Sequence, residues 1–146
     1  MTMHRITIPL LGLAALAGPL AAQDSSRACL EPEAAMAQNG EALFTSRGCI
    51  GCHTIGAGVR IGPDLAGATA RRELDWLRRF IKTPSSLLDS DSAAQALLAQ
   101  SGGVRMPDLR LTDEEVEALL HYITRESRTA GAAANGGAKA VTCSGR

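Results

Sequence analysis

The most regular alternation of apolar and polar positions lies near the C-terminal end of the chain, over residues 112–124. Four apolar residues recur there at helical spacing and form one stripe: Val116, Leu119, Leu120 and Ile123. Thr112 and Glu115 have the spacing of a capping box, in which each side chain bonds to the backbone N–H of the other residue. The pattern predicts an amphipathic helix that begins just after Thr112.

Shorter patterns predict helices along the preceding part of the chain. Residues 33–47 and 71–82 have apolar residues at helical spacing, the second segment more regularly than the first. Residues 84–88 predict one further helical turn. A short helix that ends near residue 98 could be capped by Ser90 or by Asp91, because both residue types are favoured at helix N-termini.

Two segments lack a helical pattern. Residues 54–67 are rich in glycine, and Pro107 interrupts residues 104–111. No segment shows a convincing strand pattern. The sequence therefore predicts an all-α fold, a small helical domain with long glycine-rich loops.

The N-terminus has the features of a secretory signal peptide: Arg5, an apolar stretch and small residues before a cleavage point after residue 22. The apolar stretch is too short for a typical membrane span, although a retained anchor is the alternative. We divide the chain into a signal peptide at 1–22, a linker at 23–32, a domain at 33–127 and a flexible Gly/Ala-rich tail at 128–146. The mature protein is expected to be periplasmic or otherwise exported, with no membrane span.

Charge and composition exclude some partners. The chain has 15 basic and 15 acidic side chains, and cleavage would remove Arg5 and no acid. The absence of a basic excess argues against nucleic acid as a partner. Aromatic residues make up 3% of the chain, so the core is thin and a large buried cofactor would help to fill it.

Such a cofactor is indicated by residues 49–53, which read Cys-Ile-Gly-Cys-His. This is the C-x-x-C-H pattern of covalent haem attachment. Cys49 and Cys52 can reach two vinyl groups on one edge of a porphyrin, and His53 can then offer an imidazole nitrogen to the iron. The alternative is a zinc or thiol-redox site, in which a fourth zinc ligand would have to come from His121 or Cys143.

The order and spacing of several short segments resemble class I monohaem c-type cytochromes over residues 34–127. The segments are Asn-Gly-Glu-Ala-Leu-Phe at 39–44, the motif at 49–53, Gly-Pro-Asp-Leu at 62–65, Arg-Met-Pro at 105–107 and the helix at 112–124. The resemblance implies a helical domain wrapped around one covalently bound haem c.

The resemblance also implies roles for single residues. Cys49 and Cys52 would hold the haem through thioethers, and His53 would be the proximal iron ligand. The carbonyl of Pro63 would accept a hydrogen bond from the other nitrogen of His53, and Met106 would be the distal ligand. A further implication is that Gly40 and Phe44 pack the first helix across the last, against Tyr122.

Met106 can also be weighed from the residues alone. Only Met36 and Met106 remain after cleavage, and Met36 lies on a predicted helix before the haem motif. Met106 lies in a loop, between two glycines and Pro107. His121 is the competing ligand, and an open or water-bound iron is the third possibility.

The distal ligand decides the expected function. With His/Met ligation the iron has no free position, its reduction potential is raised, and the protein carries single electrons between exported respiratory redox proteins. It would then not be an enzyme, although it could be a haem subunit of a dehydrogenase or reductase complex. If Met106 does not ligate, an open-iron sensor or peroxidase is the alternative.

Three further expectations concern partners, cysteines and charges. Residues 59–111 resemble small cytochromes found near copper-dependent respiratory enzymes, which suggests a terminal oxidase or a nitrogen-oxide reductase as partner. In the fold that the family resemblance implies, the first and last helices cross, so a Cys29–Cys143 disulfide is possible. Two unpaired thiols, or a bond to a partner protein, are the alternatives. Arg60 and Arg105 flank the two loops and are candidates to pair with haem propionates.

Overall fold

A computed structural model describes the backbone of residues 22–135 and the side chains of residues 31–133. The helices are α1 (Ala22–Ser46), α2 (Cys49–Cys52), α3 (Ala68–Arg71), α4 (Leu74–Lys82), α5 (Pro84–Ser90), α6 (Ser92–Gln100) and α7 (Asp113–Asn135). The described residues contain no strand, and the prediction of an all-α fold is confirmed.

The first and last helices form the main contact of the fold. Gly40 of α1 lies against the backbone of Ala118, where an added Cβ would overlap with the Ala118 carbonyl group. Beside this contact the rings of Phe44 and Tyr122 are tilted, with their centroids 5.4 Å apart. This is the crossing of the two helices that the family resemblance implies at Gly40 and Phe44.

Ion pairs at the two ends of the contact show that α1 and α7 run in opposite directions. Arg47, after the end of α1, pairs with Glu115 at the start of α7. Toward the other end, Glu33 lies 3.5 Å from the guanidinium of Arg128. The beginning of α1 and the later turns of α7 therefore lie at the same end of the domain.

The core consists of two adjoining clusters. The larger cluster joins α1, α4 and α7 through Phe44, Leu77, Leu111, Val116, Leu119 and Leu120. The smaller cluster contains Leu87, Leu88 and Ala94 of α5 and α6. Trp76 packs against both clusters, so α4 links them.

Helix α1 begins earlier than the sequence suggests. It starts at Ala22 and contains Pro32, whereas we expected a linker at 23–32 and a helix from residue 33. That expectation placed Pro32 in the first helical turn, where its missing N–H is harmless. The expected linker is instead helical, and its continuation pairs with Arg128 through Glu33.

The last helix is longer than its apolar stripe. Helix α7 continues to Asn135, so the first part of the tail expected at 128–146 is helical rather than flexible. Residues 132–134 are all alanine, the best helix-forming residue. The Gly/Ala-rich composition was wrongly taken as a sign of lost order in these turns.

The ends of helices α4, α6 and α7 lie close to the predicted positions. Asp91, rather than Ser90, caps α6, and its carboxylate accepts the N–H of Ala94 at 2.9 Å. The capping box of α7 is formed: Thr112 N–H donates to Glu115 Oε2 at 2.9 Å, and Glu115 N–H donates to Thr112 Oγ1 at 3.2 Å. Helix α4 starts three residues later than expected because Arg72 and Glu73 are extended.

Some predictions concern residues outside the described part of the chain. They are the signal peptide, the tail beyond residue 135, Cys143 and the side chain of Cys29. Within the described residues, no helix has the length and hydropathy required to cross a membrane.

Candidate haem site

The Cys-x-x-Cys segment forms α2, a single helical turn that begins after Gly48. Gly48 has φ +78°, a left-handed conformation that favours glycine, and it lets the chain leave α1 and enter α2 at once. His53 ends the turn with an extended backbone, and its N–H donates to the Cys49 carbonyl at 2.9 Å. The two thiols and the imidazole are therefore presented from one short rigid segment.

The imidazole of His53 is held from two sides. Its Nδ1 lies 2.9 Å from the carbonyl oxygen of Pro63. A carbonyl can only accept, so Nδ1 carries the proton and Nε2 keeps its lone pair for a metal. Gly62 lies against the ring, where a Cβ would come within 2.8 Å of Nδ1. The Gly62 N–H also donates to the Cys52 carbonyl at 2.8 Å.

Asp64 orders the loop that follows His53. Its carboxylate accepts the backbone N–H groups of Gly56, Gly58 and Ala66 at 2.8, 2.6 and 2.8 Å. Partial burial alone would raise the pKa of Asp64, but hydrogen bonds from Gly56, Ala66 and Gly58 outweigh burial and hold the pKa below its usual range. Sequence analysis gave no role to Asp64, although its place after Gly62 and Pro63 in a glycine-rich loop was a usable signal.

These residues form one wall of a cavity of about 440 Å³. Cys49, Cys52, His53 and Pro63 line one side, and Met106 lines it from the separate segment at 104–111. The rest of the lining is mainly apolar and includes Phe44, Leu77, Leu88, Leu119, Leu120 and Ile123. The structure thus brings together all five residues that the sequence predicts for the haem site.

The competing ligands lie elsewhere. Neither His121 nor Met36 lines the cavity, and both side chains are half-buried on the helices that carry them. Within the described part of the chain, no three His, Cys, Asp or Glu side chains form a metal-binding group. Among the described methionines and histidines, Met106 and His53 are therefore the two that line this cavity.

The surroundings of Cys49 do not favour a thiol-redox role for this residue. Reactive Cys-x-x-Cys thiols owe their nucleophilicity to a lowered pKa. Burial instead raises the pKa of the Cys49 thiol, with a smaller contribution in the same direction from Cys52. Cys49 and Cys52 are not joined to each other by a disulfide.

The two arginines that are candidates to pair with haem propionates have protein partners in this structure, and the propionate pairing itself stays a prediction. The guanidinium of Arg60 donates to the carbonyl of Ile50 at 2.8 Å, and Arg105 pairs with Asp89 at 2.7 Å. Arg105 lines the cavity. Arg72 also lines it, with its guanidinium 5.2 Å from the centre of the Trp76 ring.

The residues of this site fit a covalently bound haem. Two thiols, a preoriented imidazole and a thioether sulfur are ligands that suit haem attachment and haem iron. The cavity is large and mainly apolar, as a flat hydrophobic macrocycle requires. Gly62 leaves the space that the proximal imidazole occupies.

Comparison with known proteins decides the family. Residues 37–126 match the sequence model of the cytochrome c family, and this range contains every residue of the cavity wall described above. The chain belongs to the cytochrome c family. Its covalent cofactor is therefore haem c with its iron, and it transfers electrons to and from other redox proteins.

Individual relatives agree with this assignment. Cytochrome c-551 from Stutzerimonas stutzeri is 31% identical over 126 residues, which cover 83% of this chain and 96% of that protein. A cytochrome c from Rhodothermus marinus has a similar structure, with a TM-score of 0.61, 29% identity, and coverage of 66% of this chain and 80% of that chain. The cytochrome c domain of the pp3183 protein from Pseudomonas putida gives a TM-score of 0.58 at 36% identity, covering 66% and 94%.

Proposed function

We propose that this cytochrome c is an exported single-electron carrier whose haem iron is bound by His53 and Met106. The observation that carries the proposal is the placement of Met106 in the wall of the same cavity as His53, Cys49 and Cys52. When bound there, haem c supplies one-electron redox chemistry at its iron. With both axial positions filled, the iron would have no free position for a substrate.

On the proximal side, the cysteines would attach the haem and Pro63 orients the imidazole of His53. Cys49 and Cys52 would form thioethers with the porphyrin, and the carbonyl of Pro63 holds Nδ1 of His53 at 2.9 Å. That hydrogen bond fixes the ring orientation and makes Nε2 more basic toward a metal. Asp64 supports the same arrangement by tying down the loop after His53.

The distal side depends on a loop instead of a helix. Met106 is half-buried in the non-helical segment 104–111. Apolar residues of α4 and α7 line the same cavity: Leu77, Leu119, Leu120 and Ile123. A low-dielectric surrounding and a methionine ligand both favour the reduced, less charged state of the iron, and so a raised potential.

The proposed partners follow from the compartment and from the resemblance of residues 59–111. A signal peptide at 1–22 would place the protein in the periplasm or another exported location, where a domain at 33–127 would meet respiratory redox proteins. A terminal oxidase or a nitrogen-oxide reductase is the partner class to test first. The chain would act as a free carrier or as the haem subunit of a dehydrogenase or reductase complex.

One observation supports a second candidate, an open-iron sensor or peroxidase. The loop that carries Met106 is attached to α5 through the exposed side chains Arg105 and Asp108. If that attachment were released, the methionine would leave the cavity and the iron would have a free position for a small ligand.

Optical spectroscopy of the haem-loaded mature protein tests the proposal. The oxidised protein should show the weak red absorption band of methionine-bound ferric haem, and Met106→Ala should remove it. Met36→Ala is the matched control and should retain the band, because Met36 does not line the cavity. A high-spin wild-type spectrum that changes with carbon monoxide would favour the open-iron candidate.

A further inference from the structure

The loop that carries Met106 is tied to helix α5 on both sides of the methionine. On the N-terminal side, Nη2 of Arg105 lies 2.7 Å from Oδ1 of Asp89 and 3.4 Å from the carbonyl oxygen of Ser85. Asp89 and Ser85 are four residues apart, so they lie on the same face of α5. The residue directly before Met106 is therefore held to this face.

On the C-terminal side, Asp108 is held to the same face of the helix. Its carboxylate accepts the backbone N–H of Ser85 at 3.1 Å and the hydroxyl of Ser85 at 2.5 Å. Met106 lies between the two attachment points. The short loop around it cannot move away from α5 without breaking at least one of them.

Helix α5 is a firm support for such an attachment. Its other side is buried through Pro84, Leu87 and Leu88, and Leu88 also lines the cavity. The loop has its own apolar anchor only after Asp108, where Leu109 packs against the larger core cluster and Leu111 is buried in it. Val104, Arg105 and Pro107, the residues next to Met106, are exposed. The exposed stretch around Met106 is therefore held by its hydrogen bonds to α5 and, further along the chain, by the packing of Leu109 and Leu111.

We propose that Ser85, Asp89, Arg105 and Asp108 form a clamp that keeps Met106 over the iron. These four are positioning residues that act through the loop; of the four, Arg105 also lines the cavity. The clamp sets how often the Met106 side chain leaves the iron and lets a small external ligand bind there. A tight clamp favours the electron carrier, and a loose clamp favours the open-iron sensor or peroxidase. The inference rests on the proposed His53/Met106 ligation.

The two halves of the clamp should differ in strength. Asp108 makes two hydrogen bonds to one residue, and a hydrogen bond to a charged group is stronger than a neutral one. The Arg105–Asp89 pair is exposed, and such pairs contribute little. We expect Asp108→Ala to raise the affinity for an external ligand about five- to tenfold and Arg105→Gln about two- to threefold.

Imidazole binding to the oxidised haem-loaded protein measures this directly. An external ligand binds only the fraction of molecules in which the methionine has left, so its apparent affinity reports that fraction. Met106→Ala gives the upper limit of the imidazole affinity, because no methionine competes for the iron in this variant. Ser85→Ala removes one of the two bonds to Asp108 and should give a smaller increase, while Ser86→Ala, the exposed neighbouring serine, is the matched control.

The outcomes distinguish the clamp from the ligation itself. Support requires that the clamp variants bind imidazole more tightly than wild type in the order given, while Ser86→Ala does not. If the wild type shows the methionine band and Asp108→Ala binds imidazole with unchanged affinity, the clamp is wrong even if thermal stability falls. If the wild type already binds imidazole as tightly as Met106→Ala, the proposed ligation fails and the clamp with it.

Discussion

Gly40 of α1 faces the carbonyl oxygen of Ala118 in α7 so closely that a single added methyl group would overlap with it. The contact sets the distance between the first and last helices, and these helices carry Phe44, Leu119 and Leu120 to the cavity wall.

Gly40→Ala should therefore destabilise the protein. The added Cβ must push α1 away from Ala118, and overpacking of this kind costs about 1–3 kcal/mol, more than the helix propensity that alanine contributes. Denaturant unfolding of the haem-loaded protein, followed by circular dichroism, measures the change in the free energy of unfolding.

A second glycine-to-alanine change provides the control for Gly40. A Cβ at Gly131, also within a long helix, meets no atom within 4 Å. Gly131→Ala should leave the free energy of unfolding unchanged or raise it by up to ~1 kcal/mol. Equal effects of the two substitutions would show that helix propensity, and not the Gly40–Ala118 contact, determines the result.

Gly62→Ala should disturb the proximal ligand. The new methyl group would occupy the space of the His53 imidazole and would displace it from the Pro63 carbonyl. We expect a lower yield of haem-loaded protein and an altered spectrum in the molecules that form. Gly51→Ala, at a position with open space inside the haem motif, should mature normally; a normal Gly62→Ala spectrum would contradict the expectation.

Asp64 should make the protein sensitive to acid. Its pKa is lower in the folded protein than the value of about 3.9 expected for an unfolded chain. The stabilisation is therefore fully present above that unfolded value and is lost as the pH falls through the lower folded pKa. Asp64→Asn should reduce stability at neutral pH and weaken its dependence on pH below about 4.

Acid titrations of the wild type and the variant test this, because the two proteins differ only in the side chain at position 64. Glu73→Gln, a change at an exposed carboxylate outside the site, is the control. If Asp64→Asn and the wild type lose stability in parallel down to the lowest pH, the network of hydrogen bonds around Asp64 contributes no pH dependence.

The Cys29–Cys143 disulfide stays a prediction, and alkylation of the free thiols tests it. The Glu33–Arg128 pair brings the beginning of α1 close to the later turns of α7, and Cys29 lies one helical turn before Glu33 in the same helix. If the bond forms, neither cysteine should react with iodoacetamide until reductant is added, and Cys29→Ser should leave Cys143 reactive. Alkylation of both thiols without reductant would rule out the pairing.

The sequence alone determined the parts of this protein that depend on neighbouring residues. The capping box and apolar stripe of α7, the haem-attachment segment at 49–53 and the glycine-rich loop after it all follow from short-range patterns. Such patterns suffice because helix capping, helical periodicity and a two-thiol attachment operate within a few residues.

Only the tertiary structure decided the relations between distant segments. Pro32 suggested that the first helix begins there, yet α1 begins at Ala22. Arg105 pairs with Asp89 across 16 residues of chain, and Asp108 joins Ser85 across 23. The physical reason is that packing and ion pairs between segments far apart in sequence can outweigh local propensity, and a one-dimensional pattern contains no distances between them.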